Sequence, residues 1–415
     1  MTSLPLSAPV GASPGTDAAA GLASTGRPLA VDVLTDFARA ETIWRALERD
    51  GLLTGFQRYD YLEAWSRTLG AATTPFIIVL READRPVALL PLCLAALGPL
   101  TVARFMGGSH SSYALPVFAA GGAERLTTEA LIAALRKAAT IGPRRVDAFV
   151  LSRLPKAWDG CANPLFALPG SPTACNGYEF DLAADFETVL AASDGFKRRK
   201  RMRQKEKRIA SAGPAGFVQP ETLDGQLRIL DVFLAQKGAR LRAQGLEDVF
   251  AIPGTRDFFA ELLRRSQGAA EPLYRFLAYR AEGETVLATV GLSGFRGRQT
   301  LNTASFADHP LAAHSPGEVL IFQSIEQACA AGQRTYDLGI GEERYKNSWQ
   351  PRTIELHDAI LPVSLAGRVY AGLLSAKLGL KRAIRQNAAA WALVKRLRGA
   401  RAARTVATES KSDDS

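Results

Sequence analysis

LYRFLAYR (273–280), TVLATVGLSGF (285–295) and QTLNTAS (299–305), followed by SPGEVLIFQSIEQACAAG (315–332) and TYDL (335–338), form the stretch on which the fold turns. The first three segments are rich in β-branched and aromatic residues and are separated by Glu282-Gly283 and Arg296-Gly297, so they read as an antiparallel meander. The next begins with Pro316 at a first-turn position and ends at Gly332, the asymmetry of a helix with its caps. A short strand at 335–338 follows the helix. Three antiparallel strands, a helix and a further strand make one α/β (α+β) layer pair, a mostly antiparallel mixed sheet flanked by helices.

The rest of the chain extends this reading. Its 415 residues suggest two or three domains. With 47% hydrophobic and 22% charged residues, disordered, collagenous and coiled-coil proteins are excluded. Residues 1–27, rich in Ala, Gly, Ser, Thr and Pro, are expected to be disordered and carry no signal-peptide pattern. A first α/β domain is expected over 28–175, with a helix at 56–69, strands at 76–80, 86–94, 99–105 and 145–151, and a helix at 124–139. The apolar run PVALLPLCLAALGPLTVA (86–103) approaches membrane-spanning length, but Pro91 and Gly98-Pro99 make it two buried strands and a turn. Pro- and Gly-containing loop sequence at 155–177 marks the boundary to a second domain over 176–365, with helices at 185–192, 222–243 and 255–266 before the meander and a last strand at 353–361.

Four cysteines without C-x-x-C spacing point to a reducing, cytoplasmic setting. Four histidines, none paired at i, i+4, make a metal site unexpected. The net charge of +10 is uneven: 197–208 (KRRKRMRQKEKR) and 366–415 each carry +8, leaving the remainder at −6. In the basic run only Phe196, Met202 and Ile209 are apolar, so one thin stripe docks it and the rest is solvated; without interleaved aromatics it does not read as a base-stacking surface. The 366–415 tail alternates Tyr370, Leu373, Leu374, Ile384, Trp391 and Val394 with Lys and Arg. Such an amphipathic basic helix either lies on an anionic membrane surface or covers the acidic body.

Two constellations carry chemistry. At the start of the helix after the meander stand His314, Ser315, Pro316, Gly317 and Glu318, where unpaired first-turn amides and the helix dipole favour an anion. After the short strand comes YDLGIGEERYKNSW (336–349), with Asp337, Glu342, Tyr345 and Lys346 on a Gly-rich strand end. Asp337 reads equally as a buried turn acceptor, and Tyr345 as core. Lys237 and Arg240 share a helix face and can grip an anionic substrate; His110 and Tyr113 lie on the Gly-rich loop GGSHSSY (107–113).

His314–Val319 resembles the pyrophosphate loop of the GNAT acetyltransferases, with His314 in place of Gln or Arg, Val319 in place of a small residue, and Glu318 adding a negative charge. The pattern D-x-G-x-G-x-x-x-Y-K-x-x-W, with FQRYDYLEAW (56–65), VALLPL (87–92), GGSHSSY, the basic run and KGARLRAQGLEDVF (237–250) in the same order, resembles the cellulose-biosynthesis (CelD/BcsL-like) acetyltransferases, relatives of the Fem aminoacyl transferases, over 56–365. The resemblance implies two tandem GNAT-like domains with the cleft chiefly in the second, and acyl transfer from acetyl-CoA or another acyl-CoA to a small-molecule amine, such as an amino sugar of polysaccharide synthesis. In that scheme Asp337 or Glu342 takes the ammonium proton, Lys346 stabilises the developing charge and Tyr345 lines the acyl site or protonates the leaving thiolate, while Lys237, Arg240, His110 and Tyr113 bind substrate. The Fem-like alternative replaces the acyl-CoA with aminoacyl-tRNA held by the basic run; a non-catalytic membrane-surface scaffold is the third.

Overall fold

A computed structural model describes residues 29–193 and 195–387. The first half contains β1 (Ala30–Leu34), α1 (Phe37–Asp50), α2 (Tyr59–Arg67), β2 (Thr74–Glu82), β3 (Arg85–Leu97), β4 (Leu100–Phe105), β5 (Val117–Phe118), α3 (Gly122–Arg125), α4 (Thr128–Ile141), β6 (Ala148–Pro155), a β7–β8 hairpin (Ala157–Trp158, Cys161–Ala162) and β9 (Gly170–Pro172). The second contains β10 (Gly177–Asp181), α5 (Phe186–Ala191), α6 (Gly195–Ala210), β11 (Gly216–Val218), α7 (Leu223–Ala243), α8 (Thr255–Arg265), β12 (Arg275–Arg280), β13 (Val286–Phe295), β14 (Arg298–Phe306), α9 (Pro316–Ala330), β15 (Thr335–Ile340), α10 (Arg344–Asn347), β16 (Arg352–Ile354), β17 (Leu356–Pro362) and α11 (Leu365–Gln386).

Two mixed sheets organise these elements. One runs β1-β2-β3-β4-β6-β17-β9 with β5 beside β3; the other runs β11-β12-β13-β14-β15-β10-β16. The 86–103 run is the β3–β4 hairpin, with Leu97 opposite Leu100 and Gly98 at φ 58° in the turn. No helix among the described residues is long and apolar enough to cross a membrane. The meander is present as β12, β13 and β14, and α9 follows with Pro316 in its first turn.

Three features depart from the sequence expectation. The single strand expected at 353–361 is two: β16 pairs with β10 in the second sheet, whereas β17 pairs with β6 and β9 in the first. The chain changes sheets at Glu355, a step that the continuous apolar alternation around Ile354 and Leu356 conceals. The basic run is also more than a thin docked stripe. It forms α6, whose buried face includes Arg198 beside Met202 and Ile209, and whose Arg199 pairs with Glu187 at 2.5 Å. Finally, β1 and α1 precede the first element expected at 56.

The cores do not follow the two halves either. Phe233, Phe258, Phe259 and Phe276 of the second half join one continuous apolar cluster with Phe56, Tyr61 and Tyr113 of the first, while α5, α6 and α9 cover the opposite face of the second sheet in a separate cluster. A shared apolar core fixes the halves relative to each other, unlike the polar interfaces of mobile domains. Arg296 adds a polar clamp: from the β13–β14 turn its guanidinium donates to the carbonyls of Glu48, Arg49 and Gly51, the otherwise unpaired end of α1.

Removing that clamp strands part-buried carbonyls, so Arg296→Ala is expected to cost about 1–3 kcal/mol of unfolding free energy. Arg256→Ala, which breaks an exposed pair with Asp231, serves as the control at about 0.5 kcal/mol or less. Urea unfolding of both variants checks this; equal effects would contradict the clamp.

Candidate active site

The second sheet opens where its one parallel ladder fails. β14 and β15 pair only at Arg298–Thr335, Gln299–Tyr336 and Thr300–Asp337. Beyond that point β14 stays with β13 as far as Phe306, while β15 stays with β10 as far as Ile340. A register shift opposite Gly291 and Leu292 leaves Asn302 without a ladder partner just past the parting. Such a bulge bends its strand and leaves backbone polar groups unpaired. The Asn302 side chain donates to Ser293 Oγ at 3.0 Å, and its Oδ1 is buried without a partner.

Asp337 marks the last paired position. It is fully buried, and its Oδ1 accepts from Tyr113 Oη and from the Gly339 amide, both at 2.8 Å. Burial raises its pKa, opposed by the charge of Arg298, the Gly339 amide, the Tyr113 hydroxyl and Lys346. Burial and the facing carboxyl raise that of Tyr113 well above the phenolic range, so the phenol keeps its proton and donates it. The first half presents this phenol through buried bonds: Thr54 Oγ1 donates to Gln57 Oε1 at 2.7 Å, and Gln57 Nε2 to the Tyr113 carbonyl at 2.9 Å. Gly177 permits the approach, since a Cβ there would lie 2.4 Å from Tyr113 Oη.

Lys346 is 2% exposed. Its ammonium donates to the carbonyls of Gly339 and Gly341, each at 3.1 Å, and pairs with Glu343 at 2.8 Å, engaging all its protons. It therefore ties α10 to the strand end, where Gly339 takes φ +72°. Glu342 and Glu343 stand exposed at the rim. Burial raises the Tyr345 phenol pKa, and its hydroxyl has no hydrogen-bond partner among the described residues. Behind the loop Arg198 stacks on Trp349 at 3.8 Å and bonds the Ser348 carbonyl.

On the β14 side, Lys237 donates to the Ala304 carbonyl at 3.2 Å and Arg240 lies 3.9 Å over the Phe306 ring. Burial and then the neighbouring Arg240 charge lower the Lys237 pKa, while Glu343 acts the other way, so both rims of the parting sense each other. At the α9 start Ser315 is left-handed, Gly317 has no atom closer than 4.0 Å to a built Cβ, and Glu318 is turned to Lys205 and Arg201 of α6. His314 lies in the one-turn helix Pro310–His314 before it.

The site residues read from sequence thus come together in part. Asp337, Tyr113, Lys346 and Tyr345 share the strand end, and Lys237 and Arg240 flank the same opening. His110 instead packs among Phe250, Phe258 and Phe259, where burial and then Arg153 lower its pKa to about 4. Sequence reasoning missed Asn302, Arg198 and Arg298, the last pairing with Asp159 at 2.7 Å and stacking on Trp158. A helical i, i+4 step from Arg198 to Met202 was the available signal for the second of these.

Residues 197–347 match the acetyltransferase (GNAT) domain family, a span that contains α7, β14, α9, β15 and α10 but neither β10 nor Tyr113. No curated relative matches the chain by sequence. Among solved structures, FemX is similar at 10% identity and TM-score 0.53 over 80% of this chain and 97% of that one. A conserved protein of unknown function from Bacteroides thetaiotaomicron is similar at 12% identity and TM-score 0.50, over 81% and 100%. Both likenesses concern the fold alone, a mixed α/β arrangement of two sheets flanked by helices.

The raised Asp337 pKa carries a sign. Between the unfolded value near 3.8 and the higher folded value the native state binds more protons, so its stability falls as pH rises through that window. Asn at 337 keeps an acceptor for Tyr113 and does not titrate. The stability of wild type minus that of Asp337→Asn is therefore expected to decrease as pH climbs above 3.8 in urea titrations; an increase would mean that the carboxyl is held ionised.

Proposed function

We propose that the chain is an acyl-CoA-dependent N-acyltransferase of the cellulose-biosynthesis type, transferring an acetyl or similar group to a polar amine such as an amino sugar. The observation that carries the reading is the coincidence of the β14–β15 parting and the Asn302 bulge with a GNAT-matching segment. An extended thioester arm fits between diverging strands, and a bulge amide supplies a donor for the oxyanion that forms on the thioester carbonyl. Glu318 does not stand in the way of a pyrophosphate at Gly317, because its carboxylate is already offset by the Lys205 and Arg201 cations that it faces.

In this scheme the amine nitrogen attacks the carbonyl carbon, the C–S bond breaks, and the amine's proton leaves through the exposed Glu342–Glu343 edge. Tyr345, kept protonated by burial, donates to the departing thiolate. Asp337 and Lys346 act as positioning residues, their polar atoms being committed to Tyr113, Gly339 and Gly341. For the acceptor, a cavity of about 600 Å³ between the halves reaches Thr300 next to Asp337 and is walled by Trp158, Asp159, Ser293 and Arg298. Its aromatic face and hydroxyls suit a hydroxylated acceptor.

Isothermal titration with acetyl-CoA tests the reading. Binding is expected in wild type and is expected to fall at least tenfold, about 1.4 kcal/mol, in Gly317→Glu, whose side chain has room but places a second carboxylate at the anion site. Absence of acyl-CoA binding together with salt-sensitive tRNA binding would replace the reading by aminoacyl-tRNA-dependent transfer.

A further inference from the structure

Helix α11 presents an apolar face to solvent. Leu365 is 76% exposed, Val369 66%, Leu373 69% and Leu380 63%, four of the nine large apolar residues that the described chain leaves exposed. Their i, i+4, i+8 and i+15 spacing puts them on one stripe, continued by exposed Ala376. Half-buried Tyr370, Leu374 and Leu378 occupy the opposite side. On the helical wheel, exposed Arg368 and Lys377 border the stripe on its two sides.

The orientation of this stripe is fixed by the helix start. Ser364 Oγ caps Gly367 at 3.0 Å and donates to Asp147 at 2.6 Å, and the backbone amides of Val363 and Ser364 donate to the Asp147 carbonyl. Gly367 sits so close that a Cβ would lie 1.9 Å from the same carbonyl. The helix is thus clamped to the first half with its apolar stripe directed outward.

Charge selects the occupant. Residues 365–387 contain Arg368, Lys377, Lys381, Arg382 and Arg385 and no acid. Packing this stripe against the same helix of a second copy would face cations with cations, whereas an anionic lipid surface accepts the apolar stripe and the bordering cations together. We propose that α11 lies in the plane of an anionic bilayer surface, with Leu365, Val369, Leu373 and Leu380 at the acyl boundary and Arg368 and Lys377 at the phosphates. The site takes phospholipid headgroups as a surface and needs no spanning segment.

Flotation of the full-length protein with phosphatidylcholine vesicles, with and without phosphatidylglycerol, tests this. Co-flotation with the anionic vesicles only is expected, reduced at least tenfold by Val369→Glu/Leu373→Glu and also by Arg368→Glu/Lys377→Glu, and weakened by salt. All four positions are exposed, so unchanged melting temperatures separate lost binding from lost folding. Failure of the wild type to float, or flotation unaffected by the stripe variant, overturns the proposal. A concentration-dependent dimer in sedimentation that Val369→Glu/Leu373→Glu dissolves, without vesicle binding, overturns it in favour of a second copy.

Discussion

The hydrogen bond from Tyr113 to Asp337 is the joint on which the molecule depends. It links residues 224 positions apart, one from each half, in a place where neither has access to water. A buried carboxyl without a donor costs far more than the bond returns, so the pair holds only while Gly177 leaves space, Gln57 fixes the Tyr113 backbone and β15 delivers the Gly339 amide. Each of those conditions belongs to a different element. The apolar core shared by the halves supplies the bulk of the association, and this polar contact specifies its register.

The parting of β14 and β15 follows from the same place. A parallel pair continues only while both strands keep their carbonyls and amides facing, and past Asp337 the strand enters Gly339 with a left-handed backbone. The carbonyls of Gly339 and Gly341 are then taken by Lys346 rather than by β14. On the other strand, the Ala304 carbonyl is taken by Lys237 from the overlying α7. Two lysines, one on each side, thus satisfy backbone that a continuous sheet would have paired, and the opening persists without unpaired carbonyls at these positions.

Much of the architecture was legible because it is local. The β12–β13–β14 meander announces itself by period and turn residues, α9 by Pro316 and Gly332, and the strand-end motif by its two glycines beside charged and aromatic residues. What stayed hidden is non-local or inverts a compositional rule. A lysine in a motif reads as a solvent or substrate group, yet Lys346 is buried because two glycine carbonyls need a donor. Within the basic run, Arg198 looks like its neighbours until Trp349, from a distant segment, provides a face for it. The sheet change at Glu355 leaves no trace in the alternation, since the apolar residues on both sides are equally buried in different sheets.

Charge distribution separates two roles that net charge alone merges. In α6 the cations Arg199, Arg201 and Lys205 pair with Glu187, Glu326 and Glu318, and Arg198 is stacked and bonded, so a large part of that helix's charge is spent on docking it to α9 and α5. In α11 no acid shares the helix, and Arg368 and Lys377 flank the exposed stripe of Leu365, Val369, Leu373 and Leu380. The same residue types therefore hold one helix down through carboxylates of the fold and leave the other turned outward. A basic isoelectric point in this chain is not a measure of affinity for polyanions, because only the unneutralised share acts on a partner.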